Sequence, residues 1–500
     1  MFADLLKQLD ELRKRTARFR RVALHLHSVD SHDWSTGKSD ASRNAKSRFQ
    51  GPQGLTAFAD ELKPHLDVVA VTDHMRCSFA TELSRHVGSG GSFVVLPGIE
   101  VNFRGEAALG VTRIHLLCIY PEGTSSEICG RMFANQPHIP PDSGRTGNED
   151  VTGISLNDFV ARVHQNGGIC IAAHVDGAQG VRAAFRQTAK DTLALFALDG
   201  EQPPRTDSPV ISEQLKKYLL EADLDGVEIH KVSDAPHYRW EPSIDGRRRA
   251  LPTVLRFDAH CVEHFARSDY VTHIKMTAVG FEGLRDALLF SETRIRFAAN
   301  VPVAPCPKLL GLTIEGDART FFQKVAVAFA ENLNCIIGAR GSGKSTLVEA
   351  LRYVLGYNRS LAELQDLEAP IRKLQAANLA GTLIRLVYET ADGNVRVLTA
   401  TFDGKSDYVT KVFTDSGEHV DIADVEHSGM FPLRLFGWSE IELLGRDSAR
   451  QREMLDRLVE ELQRPLADRE EKRAGTRNTS LISTGRTPTR CADCSPNWIS

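Results

Sequence analysis

Val22-Ala23-Leu24-His25-Leu26-His27 is a short apolar run that ends in two histidines, and its form recurs along the chain. Val68-Val69-Ala70-Val71-Thr72-Asp73-His74 repeats it, as do Val94-Val95-Leu96-Pro97-Gly98-Ile99-Glu100, Ile114-His115-Leu116, Ala172-Ala173-His174 and Phe257-Asp258-Ala259-His260. Short runs rich in apolar and β-branched residues read as strands. Strand side chains alternate between faces, so His25 and His27 share one. Imidazole and carboxylate are the ligands that Zn, Mn and Fe have in common. One strand end offers only one or two of them, so a cluster of two or three metals must gather its ligands from many strands. The pattern therefore predicts a metal centre at one rim of a sheet or barrel. A lone histidine on an apolar strand is more often a hydrogen-bonded core residue. Many in one orientation are not independent accidents, because burying them without metal would strand polar groups at about 1–3 kcal/mol each.

Working outward, strands are expected over 22–25, 67–72, 93–96, 113–119, 168–172, 226–229, 253–257 and 271–276, with helical patterns between several of them, as at 55–62 and 156–166. Such alternation argues for a parallel α/β sheet or barrel, and active sites in those folds lie at the carboxyl ends of strands. The candidate ligands fall there. Residues 121–155, rich in Pro, Gly, Ser and Asn, predict a long surface loop of the kind that forms lids. Asp73 is expected to orient His74.

The order H-x-H, T-D-H, P-G-I-E, H, A-A-H and D-A-H resembles the polymerase-and-histidinol-phosphatase (PHP) domain family over roughly residues 21–290. The resemblance implies a distorted (β/α)7 barrel, a trinuclear metal site and phosphoesterase activity. It carries the ligand positions onto His25, His27, His74, Glu100, His115, His174, Asp258 and His260. A further first-loop ligand falls on His32 or Asp33, with His32 favoured. The family's last motif usually reads G-S-D-A-H, whereas this chain has Arg256-Phe257-Asp258-Ala259-His260. Its ligands survive, and the small residues before them do not.

Clustered divalent ions lower the pKa of a bound water and clamp phosphoryl oxygens. Charge on those oxygens would be met by Arg113, Arg256 or Lys275, and Asp258 or His260 would help protonate the leaving oxygen.

Further along, Cys335-Ile336-Ile337 reads as a strand, followed by Gly338-Ala339-Arg340-Gly341-Ser342-Gly343-Lys344-Ser345-Thr346 and a helical stretch from Leu347. That is the phosphate-binding loop in the context it requires. Backbone N–H groups from Gly338, Gly341 and Gly343 onward would cradle phosphate at a helix N-terminus. Lys344 would neutralise the β- and γ-phosphates of ATP, while Ser345 and Thr346 lie where the Mg²⁺ site forms. The helix resembles the N-terminal lobe of SMC-like ABC/AAA-type ATPases. The order of the two modules, with Ile274-Lys275-Met276 and Phe281-Glu282-Gly283-Leu284-Arg285, resembles the TrlF family of PHP-domain AAA-like ATPases. After the loop there is no apolar run ending in Asp-Glu and no Leu-Ser-Gly-Gly-Gln-like signature, and Trp438 stands where relatives carry a glutamine. A truncated lobe with weak ATP turnover is therefore expected.

The domain reading is an amphipathic helix over 1–20, a PHP domain over 21–295, a proline-bearing linker over 296–310, a partial ATPase lobe over 311–462 and a disordered tail over 463–500. Residues 450–462 suggest the start of a coiled coil. Cys491-Ala492-Asp493-Cys494, with no second pair, is a weak zinc motif. The basic run Arg13-Lys14-Arg15, Arg18, Arg20, Arg21 reads as a solvated helix end or as a phosphate-contacting arm.

Bulk properties set the limits. Five hundred residues exceed one compact core. Apolar and charged fractions of 42% and 25% are those of a globular protein. Net charge of −4 argues against tight non-specific nucleic-acid binding by the whole chain, though not against a local basic groove. Nine dispersed cysteines fit a reducing compartment, and no apolar run reaches the roughly 20 residues that span a bilayer, so a cytoplasmic protein with no membrane partner is expected. The expected activity is metal-dependent phosphoester hydrolysis, with DNA or RNA as the favoured substrate and a homodimer forming through the ATPase lobe. The alternatives are a phosphatase for a small phosphorylated metabolite or nucleotide, and an ATP-dependent binding module with an inactive metal site.

Overall fold

The structure is a computed structural model; it describes residues 2–35, 44–104, 113–177, 179–182, 218–238, 251–302, 307–357, 367–402, 410–422, 435–449, 451–452 and 454–456. The expected helix over 450–462 lies largely outside them, and the tail from 463 with its C-x-x-C pair lies wholly outside. The chain divides into two units, Lys7–Pro305 with Ala328–Asn334, and Met1–Leu6 with Cys306–Val327 and Cys335–Ser500.

In the first unit, strands β1 (Arg18–Leu26), β2 (Val68–Val71), β3 (Val94–Phe103), β4 (Ile114–Ile119), β5 (Ile169–Ala172), β6 (Gly226–Ile229) and β7 (Thr253–Leu255) are hydrogen-bonded in sequence order, and β8 (Thr272–Met276) and β9 (Ile295–Phe297) extend the sheet from β1. A parallel bridge from Leu26 to Ala259 brings the end of β7 back to β1. His27 N–H donates to Ala259 O at 2.9 Å, and Leu255 N–H donates to Thr272 Oγ1 at 2.8 Å. The result is a nearly closed barrel. All eight strands expected from the sequence are present.

The sheet is not wholly parallel. β3–β4 and β4–β5 pair antiparallel, as do β1–β8 and β8–β9. The ten residues from Arg104 to Arg113 are too few for a helical crossover, so β4 must return alongside β3. The helix expected over 1–20 is α1 (Ala3–Arg13); it stops where β1 begins to pair with β8, and Arg18, Arg20 and Arg21 are strand residues. The amino end of the expected 296–310 linker is drawn into the first unit by β9 and the turn Ala298–Asn300.

Helices α2 (Gly51–Leu62), α3 (Ser78–Val87) and α4 (Leu156–Gln165) cover the outside of the barrel. Val22, Leu24, Val68, Ala70, Val94, Leu96, Leu117, Ile119, Ile171 and Val254 form one apolar cluster, while Ala23, Leu26, Val69, Val71 and Val95 pack with Phe58, Leu62 and Leu83 in another. The first cluster fills the barrel and the second lies beneath α2 and α3, as period-two alternation requires. Gly98 sits where β3 crosses β2: a Cβ there would come within 2.7 Å of Thr72 Cγ2.

Residues 121–155 are a packed segment and not a free lid. Cys129, Met132, Phe133, Val151 and Ile154 are buried. Asp142 accepts from Cys77 N–H at 2.9 Å and Ser78 N–H at 3.0 Å, which caps α3, and Arg145 donates to Met75 O at 2.9 Å. The turn chemistry read as surface loop is genuine, but its apolar residues found a face of the barrel to cover.

The second unit holds a mainly antiparallel sheet, in the order β11-β10-β12-β13-β14-β15, formed by β10 (Lys308–Glu315), β11 (Lys324–Ala328), β12 (Leu383–Glu389), β13 (Val395–Thr401), β14 (Lys411–Thr414) and β15 (His419–Val420). Helix α5 (Phe281–Leu289) belongs to the first unit; α6 (Lys344–Leu355) lies against β12 and β13, and α7 (Glu368–Leu379) lies against α6. Among the described residues, no helix is long and apolar enough to cross a membrane.

Replacing Asp142 by Ala removes the carboxylate that caps α3 and pairs with Arg145. Such a cap is worth about 1–2 kcal/mol, so D142A is expected to lower stability by that amount in a denaturant titration, with the slope of the transition unchanged.

Candidate metal centre and nucleotide loop

Glu100, on β3, faces into the barrel and is 1% exposed. Its Oε2 lies 3.0 Å from His25 Nε2, 3.2 Å from His27 Nε2 and 3.4 Å from His74 Nε2. Its Oε1 lies 2.6 Å from His115 Nδ1 and 3.2 Å from His174 Nε2. One carboxylate thus reaches five imidazoles from four other strands. Asp258 Oδ1 stands 3.5 and 3.6 Å from the Nε2 atoms of His25 and His27. His260 Nε2 and His74 Nε2 meet Asp33 Oδ2 at 2.7 and 3.1 Å. Three sets have donor atoms within 4.8 Å of one another: His27-Asp33-His74-His260, His25-His27-Glu100 and His74-Glu100-His115.

Two local departures from a regular strand aim these side chains. β1 carries an irregularity between Ala23 and Leu26, which pair with Val69 and Val71, so Leu24 and His25 both oppose Ala70. The extra residue lets Leu24 fill the barrel while His25, next in line, also turns inward. On β5, Ile169, Ile171 and Ala173 face the barrel interior, so alternation would point His174 outward. Its φ of 29° changes that, and Asp258 has φ 41°. Positive φ at non-glycine residues is uncommon and costs energy, and it concentrates at functional sites.

Among the described residues, four carboxylates, Asp33, Glu100, Glu228 and Asp258, face one permanent cation, the Arg256 guanidinium, which binds Asp258 Oδ2 through Nε at 2.7 Å and through Nη2. Burial opposes charge on His25, but Glu228, Glu100 and Asp258 outweigh it and hold its pKa well above the ordinary value. Burial is likewise overcome at His27, where Asp258 and Glu100 push the pKa up to about 10. Burial also resists ionisation of Glu100, yet His25, His74 and His115 keep it well below the usual carboxylate range. A pocket of this charge suits cations. Further signs fit a metal. His25 Nε2 and His27 Nε2 face each other at 3.2 Å, as do His174 Nε2 and His115 Nδ1. His74 Nδ1, His115 Nε2 and Glu228 Oε1 are buried without a hydrogen-bond partner.

The sequence reading missed Glu228. Its Oε2 accepts from His25 Nδ1 at 2.9 Å and from the main-chain N–H of His174 at 2.8 Å, so it holds one imidazole from behind and the backbone that carries another. A fully buried acid between Val227 and Ile229 was the available signal. For the first-loop position, it is Asp33 that reaches the cluster; His32 is an exposed ring tilted at 51° against His74, with centroids 4.8 Å apart. Asp73 does not orient His74. It accepts from Ser28 N–H and Ser28 Oγ, both at 2.6 Å, and burial raises its pKa to about 6. Arg113 pairs with Asp150 at 2.6 Å, away from Glu100. Lys275 lies on β8 beside Arg294 and Arg296. Both were expected to meet the phosphate because they lie near strand ends, but Arg113 precedes β4 and is held by Asp150, and β8 lies outside the ring of seven.

In the second unit, Gly341 and Gly343 take φ of 83° and 89°, and α6 starts at Lys344. Lys344 Nζ donates to Gly338 O at 2.7 Å and Ala339 O at 2.8 Å. Ser345 is exposed, whereas Thr346 is buried and accepts from Asn378 Nδ2 at 2.9 Å. The strand expected at Cys335–Ile337 is not formed: Ile336 and Ile337 are 43% and 90% exposed. Among the described residues, these three pair with no strand. Arg352 joins Glu349 and Glu440, and Gln375 donates to Glu349 at 3.2 Å, which ties α6 to α7 and to α8 (Trp438–Arg446). The side chain of Trp438 lies outside the described residues.

The sequence family described as an AAA domain matches residues 313–456. No curated protein matches the chain. Chains of solved structures do; one of eight is a crystal structure from Bifidobacterium adolescentis, provisionally described as a metal-dependent phosphoesterase, which is 17% identical, with 48% of this chain and 88% of that one covered and a TM-score of 0.26.

Glu228→Gln keeps the shape but removes the charge behind His25 and His174. Carboxylates in that role typically govern metal affinity by about 10–100-fold. E228Q is expected to lose Mn²⁺ or Zn²⁺ at correspondingly lower chelator concentration than the wild type, read by elemental analysis after dialysis.

Proposed function

We propose that the first unit is a PHP-type, metal-dependent phosphoesterase with the distorted (β/α)7 barrel of that family, and that it acts on phosphodiesters of nucleic acid. The observation that carries the reading is the reach of Glu100 to five imidazoles, with Asp33, Asp258 and His260 completing one rim. His25, His27, His74, Glu100, His115, His174, Asp258, His260 and Asp33 would hold two or three divalent ions of Zn, Mn or Fe. Such ions, when bound, supply Lewis acidity and bring the pKa of a water toward neutrality.

The chain's own side chains supply the rest. Arg256 sits beside Asp258 with part of its guanidinium exposed, so it can meet a phosphoryl oxygen while fixing the carboxylate. His260, half-buried at the rim beside Asp33, would help protonate the leaving oxygen. Glu228 and the barrel wall fix the imidazoles before substrate arrives, so little reorganisation is needed on binding.

The second unit is an AAA-type domain by its sequence family. We infer that it binds ATP with Mg²⁺ through Gly338, Gly341, Gly343, Lys344 and Ser345, as an SMC-like module that also mediates homodimer formation and couples to the phosphoesterase in DNA repair or defence. Thr346 contributes to packing through Asn378.

With Mn²⁺ added, the protein is expected to hydrolyse single-stranded DNA faster than small phosphomonoesters, and E100Q or H25A to reduce that rate by at least about 100-fold. The reverse preference would move the reading to a small phosphorylated metabolite or nucleotide. Inactivity on both with every metal would leave an ATP-dependent binding module.

A further inference from the structure

The outer face of β1, β8 and β9 gathers cations at the edge of the barrel sheet. Arg21 pairs in register with His273, and His273 with Arg296. Lys275 pairs with Phe19 on the same face. Alternation places all of these outward, because Ile274, Met276 and Ile295 fill the inner cluster. Arg294 joins them by donating to Lys275 O at 3.2 Å.

Of these cations, only Arg21 has a carboxylate partner among the described residues. Asp67 holds Arg21 at 3.0 Å. Arg296 donates to the backbone carbonyls of Glu292 and Ile295, both at 2.7 Å. Among the described residues, Lys275, Arg294 and Arg296 form no ion pair with a carboxylate. Burial and these two arginines lower the pKa of Lys275. Like charges opposed across strands destabilise a sheet. In a chain of net charge −4, such a strip is most simply explained by an anionic partner that relieves the repulsion.

We propose that Lys275, Arg294 and Arg296, with His273, form a track for the phosphate backbone of a nucleic-acid strand whose scissile end lies at the metal centre. The proposal rests on the phosphodiesterase reading above and adds a substrate length to it. Six residues of β1 separate Arg21 from His27, roughly 20 Å at strand rise. At the roughly 3.4 Å per nucleotide of a stacked strand, that is about six nucleotides. Oligonucleotides shorter than this would reach the metals but not the strip.

The test is fluorescence anisotropy with a fluorescein-labelled 20-nucleotide oligothymidylate, titrated at several salt concentrations. EDTA is present, so that binding is read without metal or turnover. Each phosphate contact on a single strand contributes about 0.7 to the slope of log K against log salt. The triple variant Lys275→Ala, Arg294→Ala, Arg296→Ala is expected to bind at least about tenfold more weakly at 0.1 M salt and to lose about 2 from that slope. Arg294→Lys with Arg296→Lys should retain most of the affinity, which separates lost charge from lost folding. Hydrolysis of bis(p-nitrophenyl) phosphate with Mn²⁺ should be unchanged in the triple variant. Equal affinity and slope in the triple variant and the wild type would overturn the track. So would wild-type binding to phosphatidylserine vesicles without binding to the oligonucleotide. If the wild type binds the oligonucleotide through these residues but no phosphodiester is hydrolysed, the track stands and the phosphodiesterase reading fails.

Discussion

A single buried carboxylate organises the first unit. Glu100 can be ionised inside an apolar barrel only because imidazoles approach both its oxygens. Removing a charge from water costs several kcal/mol even after relaxation, so the barrel must bring compensating groups to one point. Much of its irregular geometry serves that end. The extra residue in β1 delivers His25, the left-handed backbone of His174 turns that ring inward, and the return of β4 beside β3 places His115 against Glu100. Glu228 then closes the set from behind.

The same constraint gathers acids around the imidazoles. Among the described residues, four acids stand against one guanidinium, Arg256. Divalent cations answer both the charge and the facing nitrogen pairs at 3.2 Å. Arg256 is the departure from the resembled family that has structural content: it occupies the inward position before Asp258 and fixes one of its oxygens, so Asp258 presents the other to His25 and His27.

The second unit follows a different logic. Its phosphate-loop glycines adopt the left-handed backbone that the motif requires, and α6 is anchored by a buried Arg352–Glu349–Glu440 group and by Thr346 on Asn378. The loop's preceding segment carries Ile336 and Ile337 in the open. Lys344 donates to the loop carbonyls of Gly338 and Ala339.

How much was legible in the sequence depended on whether a feature is local. Strand positions, the shared face of His25 and His27, and the choice of imidazole and carboxylate candidates follow from alternation and residue chemistry, and in the structure these side chains come together around Glu100. The phosphate loop is local for the same reason. What required the tertiary structure was every choice between neighbours: Asp33 over His32, Ser28 as the partner of Asp73, and Arg256 over Arg113 and Lys275 as the cation at the site. Glu228 belongs here too, since nothing in its own strand says which imidazole it will meet. Alternation fixes which way a side chain points only while the strand stays regular. A bulge or a positive φ overrides it, and those arise from how the barrel closes.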